Sequence, residues 1–335
     1  MNDPLEIRPY RPGDATAILR CWNAVMPEQD GRRPRTQADW DWEFERTPHG
    51  GKRIIVAALP DGSVVGQYAA LPYRAVAEGK PVTIDQIVDL VVLPEYRRRL
   101  ERPGLFVHLG RRFHDEFCGA GKDILTYGYP VPAWRMGQKY LTYEMVRDTD
   151  MLFRECHVAG FRPRPDHTDE VEVVEVARFG AQADALWAKV APEITLGLVR
   201  DGSYLDWRYA DHPERCYTLL LARDRRSGAP RGLAVFRVGS FIIEGAGLCV
   251  EWLVPGADLD AEQALLGRME ALTVARGAPV LATLFNQQDP RFLRWQRHGF
   301  LVAGTRYFLV MTTFHYPVTW LREAWYYTLG DTDLV

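Results

Sequence analysis

Apolar and polar positions form two series of segments that follow one another in the same order. Each series begins with a short strand pattern, at 5–10 and again at 171–177, and continues through a glycine turn into a helical pattern. The alternation of strand and helix patterns that follows predicts an α/β fold of the mixed α+β type. In it, a central mixed sheet is flanked by helices.

The later segments of the two series also match. In each, two strand patterns form a hairpin, and a further apolar strand, an amphipathic helix and one more strand follow. The first hairpin has an Asp61-Gly62 turn, which supports the positive φ angles of a tight turn. The first series places these elements at 53–59, 64–76, 87–93, 105–119 and 124–130, and the second at 218–224, 232–239, 248–254, 261–277 and 280–286.

An internal repeat accompanies this order. Trp22 and Val25 recur as Trp187 and Val190, each 165 residues later, and Pro-Glu follows in both copies. Further matches are Trp42 with Trp207 and Pro48 with Pro213 at the same spacing, and Leu-Gly-Arg at 109–111 and 266–268. Coincidence among common residues is the alternative explanation. The repeat predicts two homologous domains, 1–150 and 170–335, joined by a linker at 151–169 that contains glycine and proline.

Composition narrows the class of protein. The chain of 335 residues is 47 % hydrophobic and 25 % charged, which excludes collagen-like, disordered and disulfide-scaffold proteins. The chain has 41 Lys and Arg and 44 Asp and Glu, which gives a net charge of −3. This charge supplies no global basic field, so we expect no nucleic-acid partner.

The cysteines and the apolar runs indicate the compartment. The five cysteines are scattered without a CxxC pair, which favours a reducing cytosol and argues against a zinc site. The histidines show no metal-ligand spacing, so we expect no metal. No segment approaches the ~20 apolar residues of a membrane span. We therefore expect a cytoplasmic protein without a membrane span.

The segment 88–112 carries the most chemistry. An apolar strand ends at Leu93-Pro94, a basic turn with Arg97, Arg98 and Arg99 follows, and Gly104 opens a helix. The N–H groups at a helix N-terminus and nearby guanidinium groups bind anions. The pattern favours a pyrophosphate ligand with a thin tail along the strand, although a solvated basic loop at a helix start remains the alternative.

The strand, the Pro94-Glu95-Tyr96-Arg97 turn and the following helix resemble the acyl-CoA signature of the GNAT N-acyltransferase superfamily. The resemblance covers nearly the whole chain, twice, and implies a tandem GNAT protein with acetyl-CoA or another acyl-CoA as co-substrate. It implies that Leu90, Val91 and Val92 line the pantetheine arm. By the same resemblance, the pyrophosphate is cradled by Arg97, Arg98, Arg99, Gly104, Leu105 and Phe106.

The chain departs from the family pattern at this turn. Four residues, 100–103, are inserted before Gly104, and Phe106 stands where the family has a small residue. The second copy has no arginine in its turn, and Asp258, Asp260 and Glu262 would repel phosphate. We therefore expect only the first copy to bind acyl-CoA.

The acid and base of the reaction depart from the family as well. Trp295 occupies the place of the tyrosine that commonly protonates the leaving thiolate, and Gln138 occupies it in the first copy. We expect Asp89 to act as general base through water and Tyr129, or its neighbour Tyr127, to donate the proton. Because Glu251 aligns with Asp89, a structural strand-end role for this carboxylate is the alternative. The tyrosines are equally suited to packing.

The resemblance thus implies a bacterial-type acyl-CoA-dependent N-acyltransferase that acetylates an amine of a small molecule, such as an amino sugar or a natural-product intermediate. Transfer would be direct, within a ternary complex. An aminoacyl-tRNA-dependent transferase of the cell-wall bridge type and a non-catalytic acyl-CoA-binding scaffold are the alternatives. A homodimer is also open.

Overall fold

The structure, a computed structural model, describes residues 5–26, 33–97, 103–129 and 133–334. The chain forms two compact units. Unit 1 consists of Met1–Arg74, Val82–Val146 and Leu309–Val318, and unit 2 of Ala75–Pro81, Arg147–Phe308 and Thr319–Val335. Each unit therefore combines segments from both halves of the sequence, and each is described by itself below.

The helices and strands follow the predicted order. In the first half they are β1 (Glu6–Pro9), α1 (Ala15–Val25), α2 (Gln37–Trp40), β2 (Arg53–Ala58), β3 (Val64–Ala77), β4 (Lys80–Val92), α3 (Leu105–Phe117), β5 (Leu125–Gly128), α4 (Trp134–Tyr140) and β6 (Glu144–Glu155). In the second half they are β7 (Val171–Val176), α5 (Ala181–Val190), β8 (Leu196–Leu198), α6 (Gly202–Leu205), β9 (Thr218–Asp224), β10 (Pro230–Gly239), β11 (Ala246–Leu253), α7 (Leu259–Ala275), β12 (Val280–Leu284), α8 (Pro290–Arg297), β13 (Leu301–Thr313), α9 (Val318–Ala324) and β14 (Trp325–Tyr326).

The sheet of unit 1 is mixed. Strands β1, β2 and β3 are antiparallel neighbours, and β4 follows β3 in the strand order. Strand β5 runs parallel to β4, and its other edge pairs antiparallel with residues 310–313. Helix α3 packs against β1 and β2 through its buried face, which includes Leu105, Leu109 and Phe113. The amphipathic pattern at 105–119 therefore forms the helix that it predicts.

The sheet of unit 2 has the same mixture of pairings. Strands β7, β9, β10 and β11 are antiparallel neighbours, β12 is parallel to β11, and β6 is antiparallel to β12. Helix α7 packs against β10 and β11, and Trp252, Phe285 and Trp295 belong to the core beneath it. The predicted fold class, a mixed sheet with flanking helices, is confirmed.

A short π-helical turn follows a capped helix in each unit. Thr36 caps α2 and Asp201 caps α6, and the π-helical turns span Asp41–Glu45 and Asp206–Ala210. Both pairs of features lie 165 residues apart, the spacing of the repeated tryptophans. Trp42 and Trp207 are buried within these turns.

One of the sequence expectations meets a different local structure. Residues 151–155, the start of the expected linker, continue β6 and pair with β12. The expected boundaries at 1–150, 151–169 and 170–335 stay a prediction. The Pro-Glu pair that we expected to end the first helix lies outside the described residues.

Candidate functional site

Strands β4 and β5 pair over only a short stretch. Their register joins Asp85 to Thr126 and Gln86 to Tyr127. Strand β4 continues to Val92, whereas β5 ends at Gly128. The pairing of the two strands therefore ends at Gln86, which we call the separation of the strands, and the last residues of β4 have an edge that no residue of β5 pairs.

Asp89 lies where the strands separate, and its backbone is left-handed. Its φ of 53° makes it one of the few described non-glycine residues with a positive φ. A left-handed residue within a strand is a feature of β-bulges, which re-aim the chain beyond them. The residues after Asp89 are therefore redirected relative to the first part of β4.

Three neighbouring side chains hold Asp89. The Trp22 indole Nε1–H donates to its Oδ1 at 3.0 Å, and Arg35 donates to its Oδ2. The Gln67 amide Nε2 donates to its backbone carbonyl at 3.0 Å. Arg35 also pairs with Glu43 at 2.9 Å and lies over the Trp22 ring. The expected general base is thus a carboxylate whose two oxygens both accept hydrogen bonds.

The backbone of β4 beyond Asp89 presents alternate groups to its two edges. The Leu93 N–H donates to the Val65 carbonyl in β3 at 2.9 Å. Because backbone groups alternate along a strand, Val91 also faces β3, while Leu90 and Val92 face the edge that β5 has left. Of the three residues expected to line a pantetheine arm, Leu90 and Val92 thus turn their backbone to that edge.

The turn after β4 begins with a 3₁₀ helix over Pro94–Tyr96. The Arg97 Nε donates to the Val92 carbonyl at 3.0 Å, which fixes this side chain beside the strand end. Arg98 and Arg99, the other two arginines of the expected anion site, lie outside the described residues. The turn therefore contributes one described guanidinium, at the end of the exposed edge.

Gly104 is the N-cap residue of α3, with an extended backbone and no side-chain cap. The N-terminal N–H groups of α3, which include those of Leu105 and Phe106, lie next to it. The Phe106 ring lies 5.9 Å from the buried Tyr68 ring, so the bulky residue packs against the interior of unit 1. Leu105 is buried. The structure thus places Gly104, Leu105 and Phe106 together at a helix start.

The two candidate proton donors lie at the end of β5. Tyr127 is buried and pairs with Gln86, within the part of β5 that still follows β4. Tyr129 follows the last residue of β5 and is partly exposed. Of the two, Tyr129 is therefore the one next to the separation of the strands.

Asp85 and Asp89 lie four residues apart on β4 and have different surroundings. Asp85 is fully buried, and both its carboxylate oxygens lack a hydrogen-bond partner among the described residues. Burial and the neighbouring Asp123 carboxylate raise the pKa of Asp85 well above its ordinary value. The left-handed conformation of Asp89 interrupts the regular alternation of β4 between these two residues.

Strand β11 of unit 2 occupies the place of β4. It pairs in parallel with β12 only through Gly247–Leu281 and Leu248–Ala282, so these strands separate as well. Every residue of β11 is buried, whereas Asp89 and Leu90 of β4 are partly exposed. The strand edge in unit 2 is thus covered.

Glu251 of β11 lies in a fully buried network. It accepts from Arg200 Nε at 2.9 Å and from the Tyr209 hydroxyl at 3.1 Å. Arg200 also bonds Asp331 near the end of the chain. Arg200 follows Arg35 by 165 residues, which is the spacing of the repeat. Each of these two arginines binds a carboxylate on the corresponding strand, Asp89 of β4 or Glu251 of β11. Sequence reasoning missed both arginines, although the repeat spacing itself pointed to them.

The turn of unit 2 contains carboxylates of the chain itself. The Gly256 N–H donates to the Glu193 carboxylate at 3.0 Å, and Asp258 caps α7 by accepting from the Ala261 N–H. Glu262 binds Arg294 and His298. In addition, the Tyr326 hydroxyl of the C-terminal segment donates to the Trp252 carbonyl of β11.

Trp295, at the place of the family's tyrosine, and the nearby Asn286 are part of the interior of unit 2. Trp295 is fully buried and packs edge-on against Trp252 at 5.1 Å. Asn286 donates to the carbonyls of Arg322 and Trp325. Both residues are therefore engaged in holding unit 2 together.

Three further observations concern the whole described chain. All five cysteines are free thiols, and four of them are buried. The described residues contain no group of three or more His, Cys, Asp or Glu placed to hold a metal ion. Among the same residues, every helix is too short or too polar to cross a membrane.

Residues 6–133 match the family model described as an acetyltransferase (GNAT) domain. No curated protein matches the sequence. The match covers unit 1 from β1 to the end of β5, so it includes the separated strands and the turn.

Solved structures extend the likeness to nearly the whole chain. A probable N-acyltransferase from Enterococcus faecalis has a TM-score of 0.67 at 14% identity, covering 93% of this chain and 73% of that one. A GCN5-related N-acetyltransferase from Kribbella flavida has a TM-score of 0.62 at 19% identity, covering 94% and 72%. N-myristoyltransferase from Saccharomyces cerevisiae with bound myristoyl-CoA has a TM-score of 0.57 at 12% identity, covering 95% and 80%. The predicted resemblance to the GNAT superfamily is confirmed.

Proposed function

Since residues 6–133 belong to the GNAT acetyltransferase family, we propose that unit 1 binds an acyl-CoA and transfers its acyl group to an amine. We propose acetyl-CoA as the first donor to test, and a small-molecule amine such as an amino sugar as the acceptor. We place the reaction in the cytoplasm.

The separation of β4 from β5 is the observation that carries this proposal. Beyond Gln86 the Leu90 and Val92 backbone groups face an edge that β5 does not cover. A pantetheine arm contains amide groups that pair with such an edge as a neighbouring strand would. The partial exposure of Leu90 is consistent with a ligand lying there.

The turn at the end of this edge suits a pyrophosphate. The N–H groups at the start of α3 and the positive end of its dipole favour an anion next to Gly104. Arg97 adds a guanidinium beside the strand end, and we propose that Arg98 and Arg99 add two more. A ligand extended along β4 would thus bring its pyrophosphate to the positively charged turn.

We propose direct transfer within a ternary complex. The amine nitrogen attacks the thioester carbonyl, the nitrogen–carbon bond forms, and the carbon–sulfur bond breaks with the electron pair leaving on sulfur. Tyr129 is the proposed donor of the proton that the thiolate takes up, because it lies at the end of β5 beside the separation of the strands. The amine proton passes to water or to a nearby carboxylate, for which Asp89 was the candidate from sequence.

We propose that unit 2 arose as a second copy of the same domain and binds no acyl-CoA. The 165-residue spacing of the π-helical turns and of Arg35 and Arg200, each of which binds a carboxylate, supports a common origin. The Glu193 carboxylate accepts from the Gly256 N–H, in the turn that would have to hold the phosphates. A second anion there would be repelled.

Isothermal titration with CoA, acetyl-CoA and longer acyl-CoAs tests the proposal, using the wild type, Gly104→Asp and Gly104→Asn. Asp and Asn have nearly equal size and both cap helices, so they differ mainly in charge. We expect Gly104→Asp to weaken binding by about tenfold or more, since its carboxylate lies where the pyrophosphate would bind, and Gly104→Asn to bind much more tightly than the Asp variant.

A Cβ at Gly104 would lie 3.2 Å from the Arg97 carbonyl, and both variants carry this same contact. Equal affinities for the two variants would therefore place the phosphates elsewhere. If the wild type binds none of these CoA compounds, the proposed function is wrong.

A further inference from the structure

We propose that Trp22, Arg35 and Gln67 form a clamp that holds Asp89 in its left-handed conformation, and that this clamp sets the β4 edge to which the acyl-CoA binds. Asp89 is then a positioning residue and not the general base. The inference rests on the proposed binding of acyl-CoA to unit 1.

The conformation of Asp89 requires something to hold it. A residue with a Cβ is disfavoured at a φ of 53°, and such conformations persist where the surroundings over-determine them. Glycine occupies this region without steric cost, and asparagine and aspartate occupy it more readily than most residues, at a remaining cost that the surrounding contacts must offset within a strand. An aspartate at this place, within a strand, therefore indicates a conformation maintained by its contacts.

The contacts come from three separate parts of unit 1. Trp22 lies on α1, Arg35 precedes α2, and Gln67 lies in β3. Two of them bind the carboxylate and the third binds the backbone carbonyl of the same residue. Together they fix both the side chain and the peptide group of Asp89, and hence the direction in which Leu90 leaves it.

The same contacts argue against Asp89 as the general base. A general base must take up a proton, and both Asp89 oxygens already accept from an indole N–H and a guanidinium, which cannot turn into acceptors. Both oxygens of Asp89 are therefore engaged with partners that hold the residue in place.

Unit 2 retains the arginine–carboxylate pair where we propose no chemistry. Glu251 binds Arg200 at the matching place of β11, inside a fully buried network. No residue of β11 has a positive φ. Instead, its pairing with β10 contains a register shift between Val235 and Phe236 of β10, where β11 has one extra residue. Both strands thus have a carboxylate that binds an arginine. Of the two, only β4 has a left-handed residue, and it lies beside the partly exposed edge.

The test measures the acetyl-CoA dissociation constant of Asp89→Gly, Asp89→Asn and Asp89→Ala by isothermal titration, with melting temperatures alongside. Glycine and asparagine accept a positive φ, whereas alanine resists it. We expect the Gly and Asn variants to bind within about threefold of the wild type and the Ala variant to bind about tenfold more weakly.

Each other pattern overturns the clamp. If all three variants bind acetyl-CoA as tightly as the wild type, Asp89 has no role in binding. That is the result expected if Asp89 is a general base or a purely stabilising residue. Equal weakening in all three assigns the effect to the charge and not to the backbone.

Gln67→Leu provides a second test if Asp89→Ala does not fold, because it removes only the donor to the Asp89 carbonyl. We expect about threefold weaker acetyl-CoA binding, and unchanged binding would contradict the clamp. Glu251→Gln in unit 2 is the matched control, with unchanged affinity. If the wild type itself does not bind acetyl-CoA, the proposed function fails and not the clamp alone.

Discussion

Strands β4 and β11 hold the same place in the two units and differ in what covers them. Beyond their short parallel pairing, β4 has a left-handed Asp89 and partly exposed residues, whereas β11 is buried throughout. The chain's own Tyr326 hydroxyl and the Trp295 ring lie against the Trp252 region of β11. The comparison teaches that separated strands alone do not make a ligand site, because side chains of the same unit can cover the edge.

The largest expected effect concerns how many ligands bind. If only unit 1 has an accessible edge, titration should give one acyl-CoA per chain. The double variant Glu193→Gln/Asp258→Asn, which removes two carboxylates from the turn of unit 2, should still bind one, since β11 stays covered. A stoichiometry of two in the wild type would remove the distinction between the units.

The next effect compares the two arginines. Arg200→Ala should lower the free energy of unfolding by about 3–5 kcal/mol, because it leaves Glu251 and Asp331 as buried charges without their cation. Arg35→Ala should cost about 1 kcal/mol, because the Arg35 side chain is 27% exposed and water can replace it.

Urea denaturation followed by tryptophan fluorescence measures both losses. Similar losses for Arg35→Ala and Arg200→Ala would show that the two networks are equally important for stability, contrary to their different burial.

A third prediction concerns pH and unit 1. Burial lowers the pKa of His114 on α3 to about 4, and its Nε2 has no hydrogen-bond partner among the described residues. Because the folded pKa lies below the unfolded value of about 6.5, this stability is fully present above pH 6.5 and is lost as the pH falls towards 4. Its loss should be on the order of 2–3 kcal/mol.

His114→Phe should make stability less sensitive to pH in this window, as measured by melting temperature between pH 4 and 7. The ring contact with Phe314 is compatible with a phenylalanine. The Leu-Gly-Arg match, 157 residues apart, aligns His114 with Ala271 of α7, which does not titrate. An unchanged pH profile would assign the acid sensitivity to other residues.

The smallest effects should come from the matched helix caps. Asp201 accepts from the Tyr204 N–H at 2.9 Å, and Thr36 accepts from the Asp39 N–H at 3.4 Å. We expect Asp201→Ala to cost about 1–2 kcal/mol and Thr36→Ala about 0.5–1 kcal/mol in thermal unfolding. A reversed order would contradict the view that the shorter bond is the stronger cap.

Sequence reasoning predicted the elements well because each has a local cause. The strand patterns at 53–59 and 218–224 and the helical pattern at 105–119 depend on alternation or helical periodicity within a few residues. The Asp61-Gly62 turn follows from the preference of glycine for positive φ, and Gly62 has a φ of 85°.

The site was predicted less completely because it depends on long-range contacts. Periodicity treats Asp85 and Asp89 alike, yet one is buried beside Asp123 and the other is held by Trp22 and Arg35. Nothing local to residues 85–89 signals the left-handed backbone, which arises from partners 22 to 67 residues away. The 165-residue spacing of Arg35 and Arg200 was the available signal, but only the structure shows that each arginine binds a carboxylate of the corresponding strand.

The segments of the chain that form unit 1 have a consequence for how the protein is synthesised. Strand β5, which borders the proposed ligand edge, pairs on its other side with residues 310–313, and these belong to unit 1. A ribosome that has completed residues 1–150 has therefore not yet synthesised one strand of this unit. The part proposed to bind acyl-CoA is completed only when residues 310–313 have been translated, so a gene fragment that ends at residue 150 encodes an unfinished sheet.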